Sequence, residues 1–285
     1  MTNKVLFEDY CDITSQIKKD INSFSIPLGI TNDNILETLD VPHLPHRHIL
    51  VTGQPGSGKS NFLHVVLNSV FLNLSADQAQ IWLHDCKGFE YRKLQEQRPA
   101  HIAYLSTGDS SISCETFVRN LDEEYKKRIR YFQEKQVHSF DDCMHKEGTS
   151  CPPRLFVLID DFDVFLWRCE DNNNITYHID KIRIIDNILR MGFALGVTFI
   201  VTAQTDRISW SMSRFAEMQF GVRIFLSHNE MYIREQIKNP EAIELAKTLI
   251  RGEALLTDPD VHKVKLLYIS SETEDQIVRA CCRQN

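Results

Sequence analysis

An α/β fold, with a mainly parallel, doubly wound central sheet and helices on both faces, is predicted by three observations. Strand-like and helix-like segments alternate along the chain, the pattern of helices laid on both faces of a parallel sheet. The run Leu155–Ile159 is apolar at every position, and Val197–Val201 nearly so, as expected of strands covered on both sides. Between the apolar run Ile49–Thr52 and the helical stretch Asn61–Leu74 lies Gly53-Gln54-Pro55-Gly56-Ser57-Gly58-Lys59-Ser60. This G-x-x-x-x-G-K-S octapeptide stands in the strand–loop–helix context that phosphate binding requires.

Each element has its own warrant. Val5 to Ser23 is of mixed polarity and reads as a short helical lead-in. Ile26-Pro27-Leu28-Gly29-Ile30 reads as an apolar turn segment, with a further turn at Asp33-Asn34, because Pro, Gly and Asn punctuate regular structure. After the glycine-rich loop and its helix, a strand over Gln80–His84 ends at Asp85, and a shorter one spans His101–Leu105. From Glu115 to Glu134, Phe117, Leu121, Tyr125, Ile129 and Phe132 recur at steps of three and four, an amphipathic helix. Its other face carries Lys126, Lys127, Arg128 and Arg130 among Glu123, Glu124 and Glu134, which reads as a solvated face. Asp171–Asn174 is a polar surface loop, Ile179–Ala194 a helix. Weaker strands follow at Gly221–Phe225, Glu253–Leu256 and Val264–Tyr268, with helices at Glu230–Ile237, Glu241–Ile250 and Glu272–Cys282.

Composition excludes several classes. No apolar run approaches the roughly 18 residues of a membrane span, and Glu8, Asp9 and Asp12 make the N-terminus unlike a signal peptide. A cytoplasmic location is the expectation. The net charge of −7 has the wrong sign for a chain coated by nucleic acid, although a local basic pore remains compatible with it. The eight cysteines contain no C-x-x-C pair and read as reduced thiols. Cys143, His145 and Cys151 are better explained by a polar loop than by a metal site. His43, His46 and His48 sit just before the first strand, two of them flanking a proline-rich turn, and read as structural or solvated.

The octapeptide carries the chemistry. Its glycines let the backbone curl so that N–H groups converge at a helix N-terminus, which makes an anion site. Gly53, Gln54, Pro55, Gly56, Ser57 and Gly58 form that cradle for ATP. Lys59 reaches the β and γ phosphates, and the Ser60 hydroxyl ligates Mg²⁺. A chance match in a chain of this length is on the order of one in a hundred. Asp160, at the end of the apolar Leu155–Ile159 run, stands where ligands gather in such sheets and is assigned to the Mg²⁺ shell. Asp161 is the candidate base that orients water, and Gln204, just past the Val197–Thr202 strand, a candidate contact for the γ-phosphate or water. Asp85 and Lys87 either line the site or pair locally.

Taken together, His48–Ser60, Asp85-Cys86-Lys87-Gly88, Glu124–Arg128, Leu158–Phe162, Gly196–Gln204 and Arg251–Leu255 resemble, in order, the motifs of the FtsK/SpoIIIE family of ring-forming P-loop motors. The likeness covers about Ile26 to Leu256. It implies a RecA-like P-loop core and a homo-oligomeric, hexameric ring with ATP between subunits. It also implies either translocation of double-stranded DNA, the leading expectation, or export of protein substrates as in the type VII secretion branch. A nucleotide-gated structural subunit with weak hydrolysis is the third reading. Residues 1–40 are then an N-terminal lead-in and 41–285 the FtsK-like ATPase domain. Three departures stand out. Asp161 replaces the family's usual Glu and is shorter by about 1.5 Å, and misplacement by about 1 Å can cost about 100-fold, so either Asp161 works through a shifted backbone or an intervening water, or turnover is slow. Gln204-Thr205-Asp206 replaces Gln-Arg-Pro. Phe193 stands where an arginine is common, leaving Arg183 and Arg190 as candidates for one acting in trans.

Overall fold

The computed structural model describes residues 4–14, 18–41, 48–170, 175–204, 212–257 and 260–283. His43, His46, the Asp171–Asn174 loop, Thr205 and Asp206 lie outside them. An 11-stranded sheet runs through the molecule in the order β3-β2-β11-β10-β9-β4-β8-β7-β5-β6, with β1 beside β11. One half is the parallel core. It comprises β4 (Ile49–Thr52), β5 (Ala79–Asp85), β6 (Ile102–Thr107), β7 (Arg154–Asp160), β8 (Val197–Ala203) and β9 (Val222–Leu226). The other half, β2 (Ser25–Ile30), β3 (Leu36–Asp40), β10 (Glu253–Leu256) and β11 (His262–Tyr268), is antiparallel. The short β1 (Val5–Leu6) pairs in parallel with β11.

Side-chain alternation along the buried strands separates two cores, one on each face of the sheet. Phe156, Leu158 and Ile200 join the first with α1 (Lys59–Asn73). Leu155, Val157, Ile159, Phe199 and Val201 join the second, with α3 (Ser111–Lys135), α5 (Phe162–Glu170) and α6 (Ile175–Met191). The remaining helices among the described residues are α2 (Arg92–Gln97), α4 (Phe140–Glu147), α7 (Arg214–Glu217), α8 (Glu230–Gln236), α9 (Pro240–Lys247) and α10 (Ser271–Arg283). Helix α1 buries Phe62, Leu63, Val66, Leu67, Val70 and Phe71 and packs against both the sheet and α10. Such all-round burial is what a helix lacking a polar face requires.

The fold corrects three expectations. Val5–Ser23 is not helical over its described residues: it holds β1 and two 3₁₀ turns, Phe7–Asp9 and Ile21–Ser23. Carboxylates divert the backbone here, Asp12 Oδ1 accepting Thr14 N–H at 2.9 Å and Asp20 Oδ1 accepting Asn22 N–H at 2.8 Å, bonds that compete with a helix ladder. Ile26–Ile30 is strand rather than turn, with Pro27 at an irregularity in the β2–β3 register, where a missing N–H is tolerated. Arg128 is not on a solvated face. It is 2% exposed and donates to Glu124 Oε1 (2.9 Å), Leu195 O (3.0 Å) and Pro153 O (2.7 Å), which compensate its desolvation. Lys126, Lys127 and Arg130 are exposed.

None of the eight cysteines is in a disulfide. His48 is buried and structural. Its Nε2 donates to Leu189 O at 2.8 Å while its Nδ1 accepts Phe199 N–H at 3.0 Å, an arrangement that sets the neutral tautomer.

Candidate nucleotide-binding site

The phosphate loop leaves β4 and enters α1 at Lys59. Gly53 N–H donates to Ala203 O (3.2 Å) and Gln54 N–H to Ser227 O (3.0 Å), so the ends of β8 and β9 hold its first turn. Gly56 and Gly58 adopt φ of +78° and +122°, conformations open to glycine, with open space where a Cβ would lie. Gly58 is the N-cap of α1 and offers no side chain to its first-turn N–H groups. A cradle of this kind, at the positive end of a buried helix, fits a phosphate. Lys59 Nζ donates to Gly53 O (2.6 Å) and Gln54 O (3.2 Å). Burial pulls its ammonium below the ordinary lysine range, with Asp161 and Asp160 offsetting part of that loss.

Two neighbouring strands, β7 and β8, bring the acidic residues and their polar partners to the loop. Asp160, fully buried at the end of β7, accepts Ser60 Oγ–H at 3.0 Å and Thr202 Oγ1–H at 2.6 Å. The Thr202 hydroxyl, on β8, in turn accepts Asp161 N–H at 3.0 Å. Asp161 has φ +60°, an uncommon conformation for a residue with a Cβ, and its carbonyl accepts the first helical N–H of α5, from Phe165, at 3.0 Å. Gln204 Nε2 donates to Asp161 Oδ1 at 3.2 Å, and Gln204 N–H to Asp163 Oδ2 at 3.2 Å. One hydroxyl and one carboxylate oxygen 3.0 Å apart, beside a phosphate cradle, form a hard-oxygen donor set that suits Mg²⁺.

Asp85 and Lys87, left open by the sequence, divide. Asp85 folds the segment after β5: its carboxylate accepts the N–H groups of Lys87 (2.9 Å), Glu90 (2.9 Å) and Tyr91 (3.4 Å). Lys87 enters the site, its Nζ 2.9 Å from Asp160 Oδ2, 3.1 Å from Ser60 Oγ and 3.4 Å from Asp161 Oδ2. Burial works against its ammonium, but the Asp160 and Asp161 carboxylates outweigh burial and hold it charged well above the ordinary lysine range. Arg183 and Arg190 are exposed on α6, which packs on α3 and α5.

The antiparallel half supplies contacts that sequence reasoning missed. Gly252 N–H donates to Ser57 O at 3.2 Å. Asn61, on α1, donates to Leu267 O (2.7 Å) and accepts Ile269 N–H (3.2 Å). His64, one turn on, meets Glu274 of α10 at 2.7 Å and Glu90 at 3.5 Å while stacking on Tyr91. Burial alone would depress its pKa, yet the two carboxylates raise it to about 9. The polar residues Asn61 and His64, set among the apolar residues of α1, were the available signal. Thr202 carried a weaker one, as a hydroxyl in a buried strand.

The FtsK/SpoIIIE family model matches residues 13–243. The ESX secretion system protein YukB of Bacillus subtilis (strain 168) is 28% identical over 215 residues, which are 71% of this chain and 14% of that protein. The chain therefore spans a small part of the length of this relative. EssC (ATPases 2 and 3) from Geobacillus thermodenitrificans has a TM-score of 0.72 at 18% identity, over 100% of this chain and 50% of that one. The pCW3 conjugation coupling protein TcpA, in a monomer form with ATPγS, has a TM-score of 0.74 at 17% identity, over 98% and 75% of the respective chains. These structural likenesses speak for the fold, a mostly parallel α/β P-loop core. With the family model covering most of its length, the chain belongs to the FtsK/SpoIIIE family of P-loop ATPases.

Proposed function

We propose that the chain is an ATP-driven motor module acting on protein substrates, of the kind found in type VII secretion. The observation that carries its ATPase chemistry is the set Ser60 Oγ, Asp160 and Thr202, joined at 3.0 and 2.6 Å beside the cradle. In this reading Gly53–Ser60 bind the phosphates, and Ser60 and Asp160 hold Mg²⁺, which when bound would neutralise phosphate charge. Thr202 orients Asp160 through one bond and supports the Asp161 backbone through another. Asp161, aimed by Gln204, is the base that positions water. Its shorter side chain favours slow turnover.

The substrate assignment follows the sequence likeness to a secretion protein and the acidic balance of −7. Duplex DNA, the partner the sequence first suggested, becomes the second reading, favoured by the match to the FtsK/SpoIIIE family itself. A ring of copies, hexameric by family resemblance, would place the arginine of one subunit, Arg183 or Arg190, against the nucleotide of the next.

The test is ATP turnover measured alone, with duplex DNA at low salt, and with candidate export peptides, while assembly is followed by mass. Stimulation by peptide and indifference to DNA are expected. Salt-sensitive stimulation by DNA would transfer the assignment to the second reading. Absence of turnover under every condition, with nucleotide still bound, would favour a nucleotide-gated structural role.

A further inference from the structure

We propose that Lys87 is a tethered counter-ion seated on the metal-binding oxygens, which a divalent cation must displace, and that it thereby sets how much Mg²⁺ the site requires. Granting Ser60 and Asp160 as the Mg²⁺ oxygens, as proposed above, the geometry leaves little room for sharing. Lys87 Nζ is 2.9 Å from Asp160 Oδ2 and 3.1 Å from Ser60 Oγ, so it contacts the two atoms assigned to the metal shell. Magnesium holds its oxygens at about 2.0–2.1 Å and demands near-octahedral geometry. Any metal drawn to these two oxygens would meet an ammonium already bonded to both. The ammonium also donates hydrogens toward lone pairs that a metal or its bound water needs, and the two cations repel at contact distance.

The surroundings explain why a resident cation is useful here. Asp160 and Asp161 are adjacent carboxylates whose side chains are 0% and 5% exposed, and Lys87 meets both. Buried charges need a partner. Lys59 is held at the loop by the Gly53 and Gln54 carbonyls, which leaves Lys87 as the cation hydrogen-bonded to Asp160. Lys87 therefore keeps the acidic pair in the arrangement that a metal would use.

It can also withdraw. Its side chain is 30% exposed, so the flexible stem has solvent to swing into. Its backbone stays anchored, because Asp85 Oδ1 accepts the Lys87 N–H at 2.9 Å and Asp85 O accepts the Gly88 N–H at 3.2 Å. Exchange of one cation for another thus needs a side-chain rotation and no movement of β5 or β7. Lys87 is a positioning residue in this scheme: it acts on Asp160, Asp161 and Ser60 and makes no bond to the reacting atoms.

The experiment uses the full chain, with Lys87→Met removing the charge, Lys87→Gln as a second neutral variant and Lys87→Arg retaining a cation. Thermal unfolding is followed against MgCl₂ without nucleotide, and binding of a fluorescent ATP analogue against MgCl₂ in parallel. In the neutral variants the Mg²⁺ midpoint for stabilisation should fall about tenfold relative to wild type, and the melting temperature without Mg²⁺ should drop. Lys87→Arg should stay near wild type. Equal midpoints in wild type and the neutral variants, or no stabilisation by Mg²⁺ in any of them, would overturn the assignment. Failure of wild type to bind the analogue at any Mg²⁺ concentration would instead count against the ATP site, while the nucleotide-free midpoints still judge Lys87.

Discussion

The parallel and antiparallel halves of the sheet meet the phosphate loop from the two flanks of β4, and they bring different chemistry to it. From β7 and β8 come Asp160, Asp161, Thr202 and Gln204, linked by hydrogen bonds of 2.6–3.2 Å. From β10, β11 and α10 come backbone groups and one ion pair: Gly252 N–H on Ser57, Leu267 and Ile269 on Asn61, and Glu274 on His64. One half supplies groups able to hold a metal and orient water, whereas the other fixes the loop and its helix in place. Changes at Asp160, Asp161, Thr202 and Gln204 should therefore alter turnover more than stability, and changes in the second half should do the reverse.

The largest expected effect lies in the parallel half. Asp160→Asn keeps the size and the Thr202 contact but removes the charge, and should lower ATP turnover by about 100-fold or more. Steady-state phosphate release measures it, with urea unfolding as the check that the fold survives. Turnover near wild type would remove Asp160 from the metal shell.

In the antiparallel half, Gly29→Ala should act on stability first. A Cβ at Gly29 would lie 2.3 Å from the Lys265 carbonyl oxygen and 2.7 Å from Val264 Cγ1. Backbone cannot yield as a flexible side chain does, so β2 and β11 must separate. The expected loss is about 3 kcal/mol, read from the urea midpoint, with a much smaller change in nucleotide affinity. A large loss of affinity at unchanged stability would break the division between the halves.

Protonation separates them by sign. His64 ties the phosphate-loop helix to α10, and its folded pKa is raised to about 9 from about 6.5. Its contribution is complete below pH 6.5 and is lost as pH rises through 9, on the order of 3 kcal/mol. Glu90, lowered chiefly by its hydrogen bond to His64, contributes above its unfolded value and loses that contribution only on acidification. His84, buried in β5 of the parallel half, is pushed down to about 4 by desolvation, a Gly108 carbonyl opposing. Its contribution is present above pH 6.5 and lost as pH falls toward 4. Urea unfolding between pH 5 and 9.5 should show the alkaline decline vanish in His64→Gln. An unchanged decline in that variant would place its origin elsewhere.

The same division runs through what the sequence made legible. In the parallel half, β4 is found at Ile49–Thr52 as expected, and Leu155–Ile159 grows only to Arg154–Asp160, because unbroken apolar runs admit few alternatives. Lys59 and Ser60 follow from a motif whose spacing is set by phosphate geometry and Asp160 from the end of an apolar strand, and the structure brings the three together. In the antiparallel half, β2 reads as a turn in the sequence, because Pro27 and Gly29 are local breakers and its partner β11 comes from the far end of the chain. Local signals cannot report such a pairing. Lys87 and Arg128 were undecided or misplaced for a related reason: a charged side chain takes its meaning from partners such as Asp160 or the Leu195 and Pro153 carbonyls. Those partners are adjacent only in the fold.

The smallest expected effect tests the seam between the halves. Asn61 makes two bonds to β11, donating to Leu267 O and accepting from Ile269 N–H, while lying one residue past Ser60. Asn61→Ala leaves a partly buried carbonyl and N–H without this partner, which should cost about 1–2 kcal/mol. If the antiparallel half only supports α1, turnover should follow that stability loss weakly, by less than about threefold, since 1.4 kcal/mol is a full factor of ten. A double cycle with Asp160→Asn then sharpens the comparison. Sites without shared partners add to within a few tenths of a kcal/mol in stability. Asn61 contacts neither Asp160 nor Thr202 through any of these bonds, so additivity is the expected result. A coupling above about 1 kcal/mol would mean that the two halves act on the phosphate loop as one unit.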